Sequence, residues 1–154
     1  MIFLCPCKSS LLFSECCKPI IDNEKLPSCA EELMRSRYSA YATKNIEYLI
    51  NSWCKSMNVI EERISIEGFA RAAYFQHLEI INAKENVVEF KAYYIVDKRQ
   101  EVLHEKSNFI YKSDGSLCYK DGEIYRTNFT YGRNSSCICG SSKKYKQCCE
   151  KRIL

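Results

Sequence analysis

Residues 87–111 read VVEFKAYYIVDKRQEVLHEKSNFIY. Val88, Phe90, Ala92, Tyr94 and Val96 alternate with Glu89, Lys91, Tyr93 and Ile95. Past Asp97-Lys98-Arg99 the period resumes, with Leu103, Glu105, Ser107, Phe109 and Tyr111 set against His104, Lys106, Asn108 and Ile110. Successive side chains on a strand point to opposite faces, so this is the pattern of antiparallel strands joined by a tight hairpin. Breaks at Lys84-Glu85-Asn86, Ser113-Asp114-Gly115 and Asp121-Gly122 predict further turns, and the two-residue period begins at Phe75.

Upstream the period is helical. From Ala30 to about Trp53, Leu33, Met34, Arg37, Tyr38, Tyr41, Ala42, Tyr48, Leu49 and Trp53 recur at spacings of three and four, along one face. Ser28 is the expected N-cap, with Glu31 completing a capping box. Residues 58–74 predict one or two short helices, with Gly68 as a break. Helices followed by a run of strands predict an α+β domain in which a curved antiparallel sheet wraps a long helix.

The two ends of the chain carry a repeat. Cys5, Cys7, Cys16 and Cys17 are spaced C-x-C-x₈-C-C, and so are Cys137, Cys139, Cys148 and Cys149. Four thiolates at such a spacing can close a tetrahedral shell around a zinc ion, which predicts two structural zinc ions with no open coordination position. The segments flanking the cysteines are too short to hold a core of their own, so a metal or disulfides must stabilise them. Disulfides are the rival reading and suit a secreted protein; a redox or iron–sulfur role is a third. The start, Met1 to Cys5, lacks the basic region and apolar length of a signal peptide, and no stretch has the apolar length of a membrane span. The expectation is a cytoplasmic chain with no membrane insertion, whose thiols stay reduced and bind metal. Three units follow: a clip at 1–19, a central domain at 20–132 and a second clip at 133–154.

The second clip aligns with the first without gaps. Tyr145 matches Phe13, Ser141-Ser142 matches Ser9-Ser10, and Gly140 matches Lys8. If that turn needs a left-handed residue, Lys8 is strained and the first site is weaker. Lys143-Lys144, however, matches Leu11-Leu12. The apolar copy is expected to pack on the central domain and the basic copy to face a partner. The chain's net charge of +4 resides in this tail: residues 133–154 hold six basic residues and one acidic.

Cys137 to Cys149 resembles the SEC-C zinc motif, usually C-x-C-G-S-G-K-K-[YF]-K-x-C-[CH], found at the C-terminus of the secretion motor SecA and in small bacterial proteins. Ser142 replaces its second glycine and Ile138 a common proline. With Cys5-Pro6-Cys7 and Leu33-Met34-Arg35-Ser36-Arg37-Tyr38, the whole chain resembles the YchJ family. That resemblance implies a cystatin-like cone of the nuclear transport factor superfamily for the central domain. The family often has T-W-H-P where this chain has Ser52-Trp53-Cys54-Lys55, so no role for that histidine carries over.

Arg37 and Glu105 both fall on apolar faces and are expected to pair inside the cone. The plain reading is a structural ion pair; the sharper one is a ligand pocket with a working carboxylate. His77 and His104 read as strand residues, and Cys29, Cys54 and Cys118 as buried or idle thiols. The leading functional expectation is a zinc-binding interaction protein that docks through Lys143, Lys144 and Lys146 on a protein or ribosomal partner. A single short basic segment disfavours free nucleic acid. The rival is an enzyme or small-molecule binder using the cone's cavity.

Overall fold

The computed structural model describes residues 3–54, 59–127 and 131–153. Its elements are helices α1 (Lys18–Ile21), α2 (Ala30–Thr43), α3 (Ile46–Asn51) and α4 (Val59–Ala72), strands β1 (Tyr74–Lys84), β2 (Val87–Val96), β3 (Arg99–Tyr111) and β4 (Leu117–Tyr125), and the short helix α5 (Cys149–Arg152). The strands form one antiparallel meander in the order β1-β2-β3-β4. The fold is α+β, as the change of period predicts.

Local chemistry corrects several boundaries. The expected long helix is two, because Lys44 adopts a left-handed conformation (φ 61°) and closes α2. Asn45 then caps α3 by accepting the Tyr48 N–H. The residue capping α2 is Cys29, without a side-chain bond; the Glu32 carboxylate, not Glu31, reaches back to the Ser28 N–H at 2.9 Å. Helix α4 runs through Gly68 unbroken, and β4 runs through Asp121-Gly122. Lys55 and the expected helix start at residue 58 lie outside the described residues. The β2–β3 hairpin turns at Asp97 and Lys98, both with positive φ, as a two-residue turn requires.

The main core lies between the helices and one face of the sheet. Leu33, Leu49, Val88 and Phe109 are almost fully buried there, together with Cys5, Cys7 and Cys17 of the first clip. A second, smaller core forms on the other side around Ile95, which is out of phase with Phe90 and Ala92 and so faces away from them. Tyr145, Ile138 and the cysteines of the second clip cover it.

Cys54 and Cys118 are not idle thiols, and they depart from the expectation that the chain's thiols stay reduced. They form a disulfide across 64 residues of sequence. Tyr119 N–H donates to the Ser52 carbonyl and Cys54 N–H to the Tyr119 carbonyl, and this parallel bridge at Trp53 brings the two cysteines together. Closing a loop of that length contributes roughly 2–4 kcal/mol. In urea denaturation of the metal-loaded protein, Cys118→Ala is expected to lose that amount relative to the oxidised parent. Equal stability would show that the bond does not constrain the unfolded chain.

Candidate metal centres and the cavity between them

Each clip is a short hairpin that folds back on a 3₁₀ turn. In the first, Cys5 N–H donates to the Leu11 carbonyl at 2.8 Å and Lys8 N–H to the Cys5 carbonyl at 3.1 Å. Residues Phe13–Glu15 form the 3₁₀ turn and α1 follows. The second clip repeats these contacts: Cys137 N–H to Lys143 carbonyl at 2.8 Å, Gly140 N–H to Cys137 carbonyl at 3.2 Å, a 3₁₀ turn at Tyr145–Gln147, then α5. The backbone angles repeat too. Lys8 and Gly140 both have positive φ (62° and 81°), as do Ser10 and Ser142 (67° and 61°).

This geometry brings the sulfurs of Cys5, Cys7, Cys16 and Cys17 within 4.8 Å of one another, and likewise those of Cys137, Cys139, Cys148 and Cys149. Sγ–Sγ separations of 3.7 Å (Cys7–Cys16), 3.8 Å (Cys16–Cys17) and 3.6 Å (Cys139–Cys148) match the edge of a tetrahedron with metal–sulfur bonds of about 2.3 Å, which is about 3.8 Å. The donor set therefore fits a tetrahedral thiophilic ion. Ser9 and Ser141 place their hydroxyls 3.2 and 3.1 Å from Cys16 and Cys148, a matched outer contact to one sulfur in each cluster.

The thiols polarise one another. Hydrogen bonds from the Cys17 and Cys5 thiols hold Cys7 far below the usual thiol range. Contacts with the Cys5 and Cys7 thiols push Cys17 well above it, and burial pushes Cys16 up to about 11. In the second clip burial opposes ionisation of Cys139, but hydrogen bonds from Ser141 and Cys137 outweigh it and hold the thiol at about 6. A metal takes all four sulfurs of each cluster as thiolates, so its binding releases their protons.

The two clips attach differently. The first leans on α2: Arg35 Nη1 donates to the Cys7 carbonyl at 2.9 Å, and Ser39 Oγ lies 3.5 Å from Cys5 Sγ. Its Leu11 stays 53% exposed and Leu4 64%, so contact with the central domain runs through the cysteines, Ile20 and Ile21 rather than through Leu11-Leu12. The second clip also packs on the sheet, through its inner side. Tyr145, only 1% exposed, donates to the Lys98 carbonyl at 2.9 Å, and Ile138 N–H donates to Gln100 Oε1 at 2.8 Å. Lys143 and Lys144 remain exposed at its outer edge, with Lys146 half-buried.

Family comparisons agree with this geometry. A model of the middle, NTF2-like domain of YchJ matches residues 29–122, and the SEC-C motif matches residues 133–151. The chain belongs to the YchJ family. Relatives include the UPF0225 proteins of Photorhabdus laumondii, 41% identical over 97% of this chain and 99% of its own length, and of Serratia proteamaculans, 36% identical over 95% and 97%. Among solved structures, a SEC-C motif containing protein from Psychrobacter arcticus is similar with a TM-score of 0.66 and 26% identity, covering 96% of each chain. Another from Rhodopseudomonas palustris gives a TM-score of 0.71 at 25% identity, covering 80% of this chain and 100% of its own. This YchJ-family chain thus joins an NTF2-like middle domain to a C-terminal SEC-C clip whose geometry recurs at its N-terminus.

Arg37 and Glu105 do share a cavity, but they do not pair. Arg37 Nη1 donates to the Leu49 carbonyl at 2.9 Å and to Ser52 Oγ at 2.5 Å, because the break between α2 and α3 turns those groups toward it. Glu105 Oε1 instead accepts from Ser107 Oγ at 2.6 Å and Tyr119 OH at 3.0 Å. The Tyr119 ring lies 4.7 Å from the guanidinium carbon. Sequence reasoning missed Tyr119, which touches both charges; its short strand β4 carries no alternation long enough to reveal it. His77 and His104 lie on β1 and β3, as expected of strand residues, and His104 Nε2 is 2.8 Å from Glu89.

Lys8 holds its turn at a left-handed φ of 62°. A non-glycine residue in that conformation costs about 1 kcal/mol. Lys8→Gly is expected to raise the first clip's zinc affinity roughly fivefold in competition with a chelating dye, and Gly140→Ala to lower the second clip's by a similar factor. An unchanged affinity in both would show that the turn does not limit metal capture.

Proposed function

We propose that this protein is a zinc-stabilised interaction module that docks through its basic second clip on an acidic surface of a protein or of the ribosome. Cys5, Cys7, Cys16 and Cys17 hold one zinc ion, and Cys137, Cys139, Cys148 and Cys149 the other. Four sulfurs fill each tetrahedron, so the ions serve structure. Residues 1–19 and 133–154 then act as clips on a central unit of residues 20–132. No helix among the described residues is long and apolar enough to cross a membrane.

The observation that carries the docking reading is the orientation of the second clip. Tyr145 fastens its inner side to the β2–β3 hairpin, while Lys143 and Lys144 stay exposed. That hairpin adds Lys98 and Arg99, also exposed, and the tail's one acidic residue, Glu150, is engaged by Arg133 at 2.6 and 2.8 Å. A positive surface of this kind selects partners by charge and is weakened by salt.

Native mass spectrometry of reduced protein is expected to show two zinc ions per chain. Their removal by chelator should unfold the clips, at a cost on the order of 10 kcal/mol per site. One bound ion would restrict the structural role to a single clip.

Co-sedimentation with purified ribosomes tests the docking. Three phosphate contacts from Lys143, Lys144 and Lys146 would weaken binding roughly 20- to 40-fold between about 50 and 200 mM salt. A Lys143→Glu, Lys144→Glu double variant should lose binding while keeping its zinc. Salt-independent binding, or binding indifferent to the double variant, would refute a lysine-driven contact.

A further inference from the structure

The sheet face that meets α2 and α4 encloses a half-open cavity of ≈ 110 Å³. Strand register builds its floor. Phe90 lies opposite Glu105 and Ala92 opposite Leu103, all pointing to the same side. Its aromatic wall is a linked set: Tyr41 contacts Phe69 and Phe75 at 5.8 and 5.7 Å between ring centroids.

Two charges interrupt this apolar lining, and neither is fully satisfied. Arg37 is 8% exposed and Glu105 9%. Arg37 uses only Nη1 in hydrogen bonds; among the described residues Nε and Nη2 have no acceptor. Glu105 uses only Oε1; among the described residues Oε2 has no donor. Tyr119 stays protonated, since burial and then the Glu105 carboxylate push its hydroxyl up, so it remains a donor to Oε1. The position of Glu105 is itself built in. Gly122 faces Ser107 across the strand pair, and a Cβ there would lie 2.1 Å from Glu105 Oε1 and 2.9 Å from the Tyr119 hydroxyl. The missing side chain is what lets the carboxylate stand over the cavity.

A buried guanidinium and a buried carboxylate with spare hydrogen-bonding capacity in one apolar cavity ask for a bridging group. That group must accept from Arg37 and donate to Glu105 Oε2, as a hydroxyl does. The ligand must be neutral overall, because the two charges already balance and a further one would be buried without a counter-ion. Its body must be small and flat, to meet the aromatic wall edge to face. We propose that this cavity binds a single-ring phenol, with the ring against Phe69 and Phe75 and the hydroxyl between Arg37 and Glu105. This site is independent of the basic clip.

The test is an NMR titration of the zinc-loaded full chain with phenol and, in parallel, toluene, which matches it in shape but lacks the hydroxyl. Phenol is expected to shift the amides of β2 and β3 around Phe90 and Glu105, and to bind roughly tenfold or more tightly than toluene, the worth of a hydrogen bond to a buried charge. Glu105→Gln should erase most of that preference. Ala92→Leu narrows the cavity without removing either charge and should abolish both titrations while zinc content stays that of the parent. Equal binding of phenol and toluene would reduce the site to an apolar hole, and no binding of either at their solubility limits would mean that water alone bridges the charges; either result overturns the proposal.

Discussion

Helix α2 is the element on which the other contacts converge. Consecutive residues of a helix point about 100° apart, so a short stretch can serve several neighbours at once. Arg35 reaches the first clip, Ser36 bonds Tyr48 of α3 at 2.6 Å, Arg37 crosses to the end of α3, and Ser39 returns to the first clip at Cys5. Leu33 and Met34 fill the core between them. Displacing this one helix would therefore release the clip, the α3 segment and the roof of the cavity together. The string Leu33-Met34-Arg35-Ser36-Arg37-Tyr38 is a set of simultaneous contacts rather than a motif for a single task.

The clips obey a different constraint. Each is closed by its own backbone bonds within about a dozen residues, so its geometry is almost independent of where it sits. That is why two copies with different outer surfaces reproduce the same angles and sulfur positions. What differs is attachment. The first is seated through the Cys7 carbonyl, Cys5 and the isoleucines that follow it; the second through the Tyr145 hydroxyl and the Ile138 amide. The Tyr145-for-Phe13 difference matters here, because only a hydroxyl can reach the Lys98 carbonyl on the hairpin.

The cavity shows how a missing contact can be informative. Oppositely charged side chains brought into one apolar space would ordinarily be expected to meet. Here each is held back by closer partners, Arg37 by Leu49 and Ser52, Glu105 by Ser107 and Tyr119. Gly122 and the kink between α2 and α3 set those partners in place. The disulfide joining Cys54 to Cys118 pins the Trp53–Tyr119 bridge beside them, which ties the cavity wall to the strand edge.

Much of this was legible from residue order. The two-residue period of β2 and β3, the helical period of α2, and the paired cysteine spacings each reflect a local rule: side-chain direction in strands and helices, and the reach of a tight turn. Those rules need no knowledge of distant residues, so they announced an α+β domain with a four-sulfur cluster at each end. The reading failed where one residue outweighs a pattern. A left-handed Lys44 split the helix, while the ladder pairing of Ser107 with Gly122 carried β4 through its glycine and α4 ran on through Gly68. It failed again where partners are far apart in sequence. The union of Cys54 with Cys118, the separation of Arg37 from Glu105 and the seating of both clips depend on which surfaces meet. Only the packed chain decides that, because burial makes distant groups compete for the same partners.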